Sequence, residues 1–125
     1  MAPTPTIAFA AGTQNAQAAV IVTASHNPPQ DNGFKFHNPD GAGFSVDQQE
    51  RIQQLLQGRE PVVWEHFGFS ATTDPIPLHV DALTEACTVS RRHKVVLDAA
   101  LGVGGLVTPQ ALRRLDADLT TLNVP

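Results

Sequence analysis

The stretch that most narrows the fold is "AAVIV", Ala18 to Val22, which runs on through Thr23 and Ala24. Both alternating sets of positions are apolar, as in a central strand covered on both faces, so helices are expected on either side of it. Beyond it, Pro28-Pro29 forbids a regular strand or helix. The chain must therefore leave the core at Ser25, beside His26 and Asn27, before Asp31-Asn32-Gly33 turns it back. With 125 residues it can close one modest core but not two complete domains.

The flanking segments fill in the layers. Pro5 after Thr4 opens a helix, with Thr4 as cap and Ile7, Phe9 and Ala10 as its buried stripe, ending near Gly12. "GFKFH", Gly33 to His37, alternates as a half-exposed strand, and "NPDGAG" is a turn. Ser45 and Gln48 form a capping box for a helix whose apolar stripe is Val46, Ile52, Leu55 and Leu56, stopped by Gly58. From Arg59 to Pro77 no steady period holds, and a loop with a short segment around Val62 to Trp64 is expected. A helix from about Leu78 to Thr88 places Leu78, Leu83, Ala86 and Cys87 inward. "KVVLDA" is a second apolar strand, Thr108-Pro109 a cap-plus-proline helix start with Ala111, Leu112 and Leu115 on one side, and "DLTTLNV" a closing strand.

This order predicts an α/β fold with a mixed, largely parallel sheet and flanking helices. The polar break "SRRH" divides residues 1–91 from a β-α-β unit over 92–125.

Hydrophobic residues make up 42% and charged residues 16%, with 8 Lys+Arg against 12 Asp+Glu and a net charge of -4. That balance fits a soluble globular protein and offers no basic footprint for nucleic acid. No apolar run approaches a membrane span, and "MAPTPTIAFA" lacks the basic flank of a signal peptide, so no membrane partner and a cytoplasmic location are expected. The single cysteine, Cys87, allows no intramolecular disulfide or zinc cluster and reads as a small core residue.

Among candidate sites, "GVGGLV" sits between a strand and a helix, but a dinucleotide fingerprint starting at Gly102 would need glycine where Val107 stands. A tight strand-to-helix turn is the better reading; a nucleotide-binding module there would require measurable nucleotide affinity. His26 and His37 with Asp31 match no metal spacing. Ser25 and His26 lack a G-x-S-x-G elbow, and neighbours in a turn seldom aim at each other. Ser25 keeps two readings. It is a turn serine bonding local backbone, or it is a nucleophile at the carboxyl end of a buried strand, where open α/β sheets bind ligands. A hydroxyl with Lys35 returned toward it suits phosphoryl transfer, where the work is positioning an oxygen and stabilising charge.

The stretch "TASHNPPQDNGFK" closely resembles the active-site serine loop of the α-D-phosphohexomutases, the phosphoglucomutases, phosphomannomutases and phosphoglucosamine mutases. "PTPTIAFA" is similar to the family's preceding helix, "FHNPDGAGFSVDQQERI" to the continuation, and "KVVLDAALGVGGLVTPQALRRLDADLTTLN" to the opening of its second domain. The resemblance thus spans nearly the whole chain. It implies that residues 1–91 are the later part of domain I and 92–125 the beginning of domain II. It also implies that Ser25 carries a phosphate and exchanges it with a hexose monophosphate, through a bisphosphate intermediate, to interconvert the 1- and 6-phosphates. His26 and Asn27 would shape the site, Asn27 and Lys35 would contact substrate, and Lys35 would be a general acid/base. Mg²⁺ would be bound partly through the Ser25 phosphate.

Three further family loops, D-G-D-G-D-R for metal, G-E-x-S-G-H for sugar and S-G-T-E-P for phosphate, do not occur in these 125 residues, nor does the glycine-rich segment that precedes the serine loop. Asp31 and Asp98 do not reproduce the metal spacing. The expectation is a chain trimmed at both ends and inactive alone. The alternative is a non-catalytic fragment acting by association, including self-association through incomplete sheet edges.

Overall fold

A computed structural model of the chain describes residues 1–58 and 63–125. Helix α1 (Thr4–Thr13) leads into strands β1 (Ala19–Val22) and β2 (Phe34–His37), followed by helices α2 (Val46–Gln57) and α3 (Ile76–Glu85). Strand β3 (Lys94–Asp98), helix α4 (Thr108–Arg114) and strand β4 (Asp118–Leu122) complete the chain. The α/β class and the order of elements are those expected from the sequence.

The sheet differs in one respect. Instead of one mixed, largely parallel sheet there are, among the described residues, two separate two-stranded pieces. β1 and β2 pair antiparallel, Val22 opposite Phe34 and Val20 opposite Phe36, because the loop between them contains no crossover helix. β3 and β4 pair parallel, Val95 opposite Leu119, because α4 provides the crossover.

The central, doubly covered strand expected from Ala18 to Val22 is covered on one face only. Ile21 is 8% exposed, whereas Val20 and Val22 are 52% and 65% exposed, as is Phe34 at 65%. Adjacent residues of a strand point to opposite faces, so Val20, Val22 and their partner Phe34 form a bare apolar face. The stripe of α2 is likewise uncovered: Ile52 is half-buried, but Val46, Leu55 and Leu56 are exposed. The capping box that starts α2 forms as expected, with the Ser45 hydroxyl accepting from the Gln48 N–H and the Gln48 side chain from the Ser45 N–H.

The buried residues lie where α1, α3 and the start of α4 meet. Thr6, Ala11, Val80 and Val107 are buried. Val80 is fully enclosed, worth about 1.5–3 kcal/mol of burial. Asp81 on α3 and Arg114 on α4 form an ion pair, and the Thr6 hydroxyl on α1 lies 2.9 Å from Nδ1 of His79 on α3.

Several local expectations are corrected. Thr4 lies inside α1, capped by Pro3 without a side-chain bond, and Thr6 and Ala11 are its buried residues while Ile7, Phe9 and Ala10 are half-buried. Thr108 is likewise the first helical residue, with Val107 at the cap. In both cases proline takes an early helical position where no N–H is needed, so the turn forms without a hydroxyl acceptor. Helix α3 starts at Ile76, whose N–H bonds the Asp74 carboxylate. The face it packs against α1 and α4 carries Val80, while Leu78, Leu83 and Ala86 are exposed, and the helix ends before Cys87, which is exposed. Trp64–His66 form a short 3-10 turn; Val62, the other end of the segment expected there, lies outside the described residues.

Candidate functional site

The Ser25 loop begins as β1 ends. The Thr23 N–H donates to the Gly33 carbonyl at 2.9 Å, closing the loop at its neck. A Cβ on Gly33 would stand 3.0 Å from the Thr23 carbonyl oxygen, so this approach needs glycine. Within the loop the Asn27 N–H bonds the Ala24 carbonyl at 3.0 Å, and the Asp31 N–H bonds the Pro28 carbonyl at 2.9 Å. Every residue from Ser25 to Asp31 is exposed.

Ser25 has φ 55, in the left-handed region that L-residues other than glycine seldom enter. The conformation costs about 1–2 kcal/mol. Its N–H donates to the Thr23 hydroxyl at 3.0 Å. Its Oγ lies 3.4 Å from His26 Nδ1, a long contact between two exposed groups. Serine and histidine thus do face each other, against the general expectation for neighbours in a turn, because the left-handed bend at Ser25 brings the two side chains to one side.

The antiparallel return expected from Asp31-Asn32-Gly33 is present, and it pairs Lys35 with Ile21. Among the described residues no hydrogen bond joins Lys35 to Ser25, His26 or Asn27. Lys35 instead borders a hollow of about 300 Å³ with Phe36, Gly43, Phe44 and Gln49, where Phe36 stacks on Phe44 at 5.7 Å. His37, which with His26 and Asp31 matches no metal spacing, bonds the Gly41 carbonyl at 2.9 Å and has a local structural role.

Among the described residues no three His, Cys, Asp or Glu side chains are grouped to hold a metal. Mg²⁺ asks for several oxygen ligands in near-octahedral array. This loop alone offers the hydroxyls of Ser25 and Thr23 and no carboxylate bonded to either, so its own residues do not build an Mg²⁺ site. Residues 103–106 form a 3-10 turn leading into α4, as expected of "GVGG".

One residue of the site is missed by the sequence reading: Thr23, taken there only as the tail of the apolar run. The signal was a hydroxyl two positions before a turn residue, the spacing at which Ser and Thr bond backbone N–H groups.

A second polar cluster lies at the carboxyl ends of β3 and β4. The Asp98 carboxylate accepts from the Ala100 N–H at 2.9 Å and from Asn123 Nδ2 at 3.1 Å. These bonds, the Ala100 one foremost, hold its pKa below the usual value.

Comparison with known proteins bears on the fold and the family. Residues 1–62 match the family model described as phosphoglucomutase/phosphomannomutase, alpha/beta/alpha domain I. A probable phosphoglucosamine mutase of Methanocella arvoryzae is 38% identical over 96% of this chain and 27% of its own length. One of Pyrococcus horikoshii is 34% identical over 98% of this chain and 28% of its own. The crystal structure of a phosphoglucomutase/phosphomannomutase family protein from Burkholderia thailandensis superposes with a TM-score of 0.78 at 29% identity, over 98% of this chain and 28% of that one. The chain therefore spans little more than a quarter of the relatives it matches, along nearly all of its own length. On these matches and on the fold, the chain belongs to the α-D-phosphohexomutase family.

Proposed function

We propose that Ser25 is the phosphoryl carrier of a phosphohexomutase reaction, interconverting hexose 1- and 6-phosphates through a phosphoserine and a hexose bisphosphate. The observation that carries this reading is Ser25 itself: exposed, left-handed in backbone, and presented on a loop closed at its neck. In the transfer, a hydroxyl oxygen of the hexose monophosphate attacks phosphorus. The P–Oγ bond of phosphoserine breaks, and the proton of the attacking hydroxyl passes to a base. The reverse transfer from the other end of the bisphosphate restores phosphoserine. His26, in contact with Ser25 Oγ, and Asn27 beside it are placed to bind phosphate oxygens or substrate. Lys35 fills the acid/base and substrate-contact role only if it turns toward the loop from β2. The relatives' name favours a phosphoglucosamine substrate over phosphomannose or phosphoglucose.

Mg²⁺ enters this reading only as a partner of the Ser25 phosphate. We also propose that residues 1–91 belong to domain I and 92–125 open domain II. That division is supported by the separate sheet of β3 and β4 and by the match of residues 1–62 to domain I. Because the family's metal, sugar and phosphate loops do not occur in these 125 residues, the isolated chain is expected to turn over negligibly. A coupled assay on glucose-, mannose- and glucosamine-phosphates with Mg²⁺ tests this. Robust turnover lost in Ser25→Ala would overturn the expectation of inactivity while supporting the role of Ser25.

A second reading, that the chain acts only by association, is favoured by the bare face of Val20, Val22 and Phe34. Sedimentation of the purified chain decides it: a well-behaved monomer with cooperative unfolding would exclude it. No helix among the described residues is long and apolar enough to cross a membrane.

A further inference from the structure

We infer that Thr23 is a positioning residue for Ser25, its hydroxyl holding the nucleophile's backbone in the conformation from which Oγ is presented. The inference rests on the carrier reading of Ser25.

Left alone, a serine relaxes to negative φ, because the left-handed region brings Cβ against the following carbonyl. At Ser25 φ is 55, so something in the loop must hold it there. The Ser25 N–H has one acceptor among the described residues, Thr23 Oγ1 at 3.0 Å. Thr23 is itself anchored: its N–H bonds Gly33, and its carbonyl lies where Gly33 leaves room by lacking a side chain. It is half-buried, as is Ala24, whereas Ser25 to Asp31 are all exposed; of the two, only Thr23 has a side-chain acceptor to offer the Ser25 N–H. Being β-branched, it is also stiff about its first side-chain torsion, which keeps the hydroxyl in place. The chain of constraint runs from the β1–β2 neck through the Thr23 hydroxyl to the Ser25 amide. Transfer between oxygens depends on such placement, since an error near 1 Å can cost about a hundredfold in rate.

The test uses the full chain with α-D-glucose 1,6-bisphosphate and Mg²⁺, following phosphate on the Ser25 peptide by mass spectrometry. Phosphorus leaves a sugar oxygen for Ser25 Oγ, and the sugar oxygen gains a proton as the serine loses one. In parallel, hydrogen exchange of the Ser25 amide and the denaturation midpoint are measured. Thr23→Val, which keeps the shape and removes the hydroxyl, should slow phosphate uptake about tenfold or more and speed exchange at Ser25 with the midpoint little changed. Thr23→Ser should restore both. Thr23→Ala serves as a second hydroxyl-free variant should valine fold poorly. Uptake or exchange unchanged in the hydroxyl-free variants overturns the inference, as does Thr23→Ser behaving like valine. Exchange at the Ser25 amide decides the inference whether or not the parent chain takes up phosphate; phosphate retained on that peptide in Ser25→Ala overturns the carrier reading, and parental uptake that survives loss of the Thr23 hydroxyl overturns this inference alone.

Discussion

The Thr6 hydroxyl and His79 Nδ1, 2.9 Å apart, tie α1 to α3 across the part of the molecule that excludes water best. Thr6 is completely buried, and the Phe9 ring lies 4.9 Å from the imidazole. The hollow beside His79 is bordered by Pro3, Pro5, Leu83 and Val107 and has no charged side chain on its wall. Burial accordingly lowers the His79 pKa from its usual 6.5.

The sign of the pH effect follows. The unfolded chain protonates this histidine first, so it binds more protons than the folded chain below pH 6.5. The His79 contribution to stability should be flat above that pH, fall as pH drops from 6.5 to the folded value, and level off below it. Urea midpoints between pH 7.5 and 5 check this, and His79→Phe should remove the His79 share of the slope. Thr6→Val, which leaves Nδ1 without its partner, should cost about 1–3 kcal/mol.

At the other end of the chain, Asp98 should respond to its two donors. Loss of the Asn123 amide in Asn123→Ala should move the Asp98 pKa up toward the usual 3.8 without reaching it, since the larger effect, the Ala100 N–H, remains. Carboxyl NMR titration reads the shift directly. Stability from this group is present above pH 3.8 and lost as pH falls through the lower folded value.

Gly41 has φ 84, and a Cβ there would stand 3.0 Å from the Ala8 carbonyl oxygen. Gly41→Ala should therefore cost at least the 1–2 kcal/mol of a left-handed alanine, about what a denaturation curve resolves easily. An unchanged midpoint would mean that the 38–43 turn does not pack on α1.

Helix α2 has no buried residue and relies on its own ends. Ser45→Ala removes the acceptor of the Gln48 N–H and should cost about 1 kcal/mol locally. Because little tertiary packing holds this helix, far-UV circular dichroism should show lost helicity at temperatures where near-UV signals are unchanged.

The serine loop was legible because its residue types act locally: two prolines end the strand, Asp-Asn-Gly turns the chain, and the neck closes where they require. The capping box at Ser45 was legible for the same reason. Coverage of β1 was not. Val20 and Val22 carry a pattern suited to burial, but whether anything covers them depends on elements outside the strand, and among the described residues they stay half or more exposed. Cys87 shows a boundary effect: an apolar stripe projected from Leu78 has no meaning once the helix ends at Glu85. The Thr23–Ser25 bond escaped because it depends on a positive φ that no residue type at position 25 announces.

That positive φ decides how removal of Ser25 is to be judged. Ser25→Ala deletes the hydroxyl but keeps an L-side chain on the same backbone, while Ser25→Gly deletes it and relieves the crowding. A glycine variant about 1 kcal/mol more stable than alanine would mean that the parent holds a serine at some expense to its own folding. Stability alone would favour glycine at position 25. The chain has serine there, and because both variants lack the hydroxyl, the difference between them measures what carrying any L-side chain at position 25 costs the fold, independently of any assay of turnover.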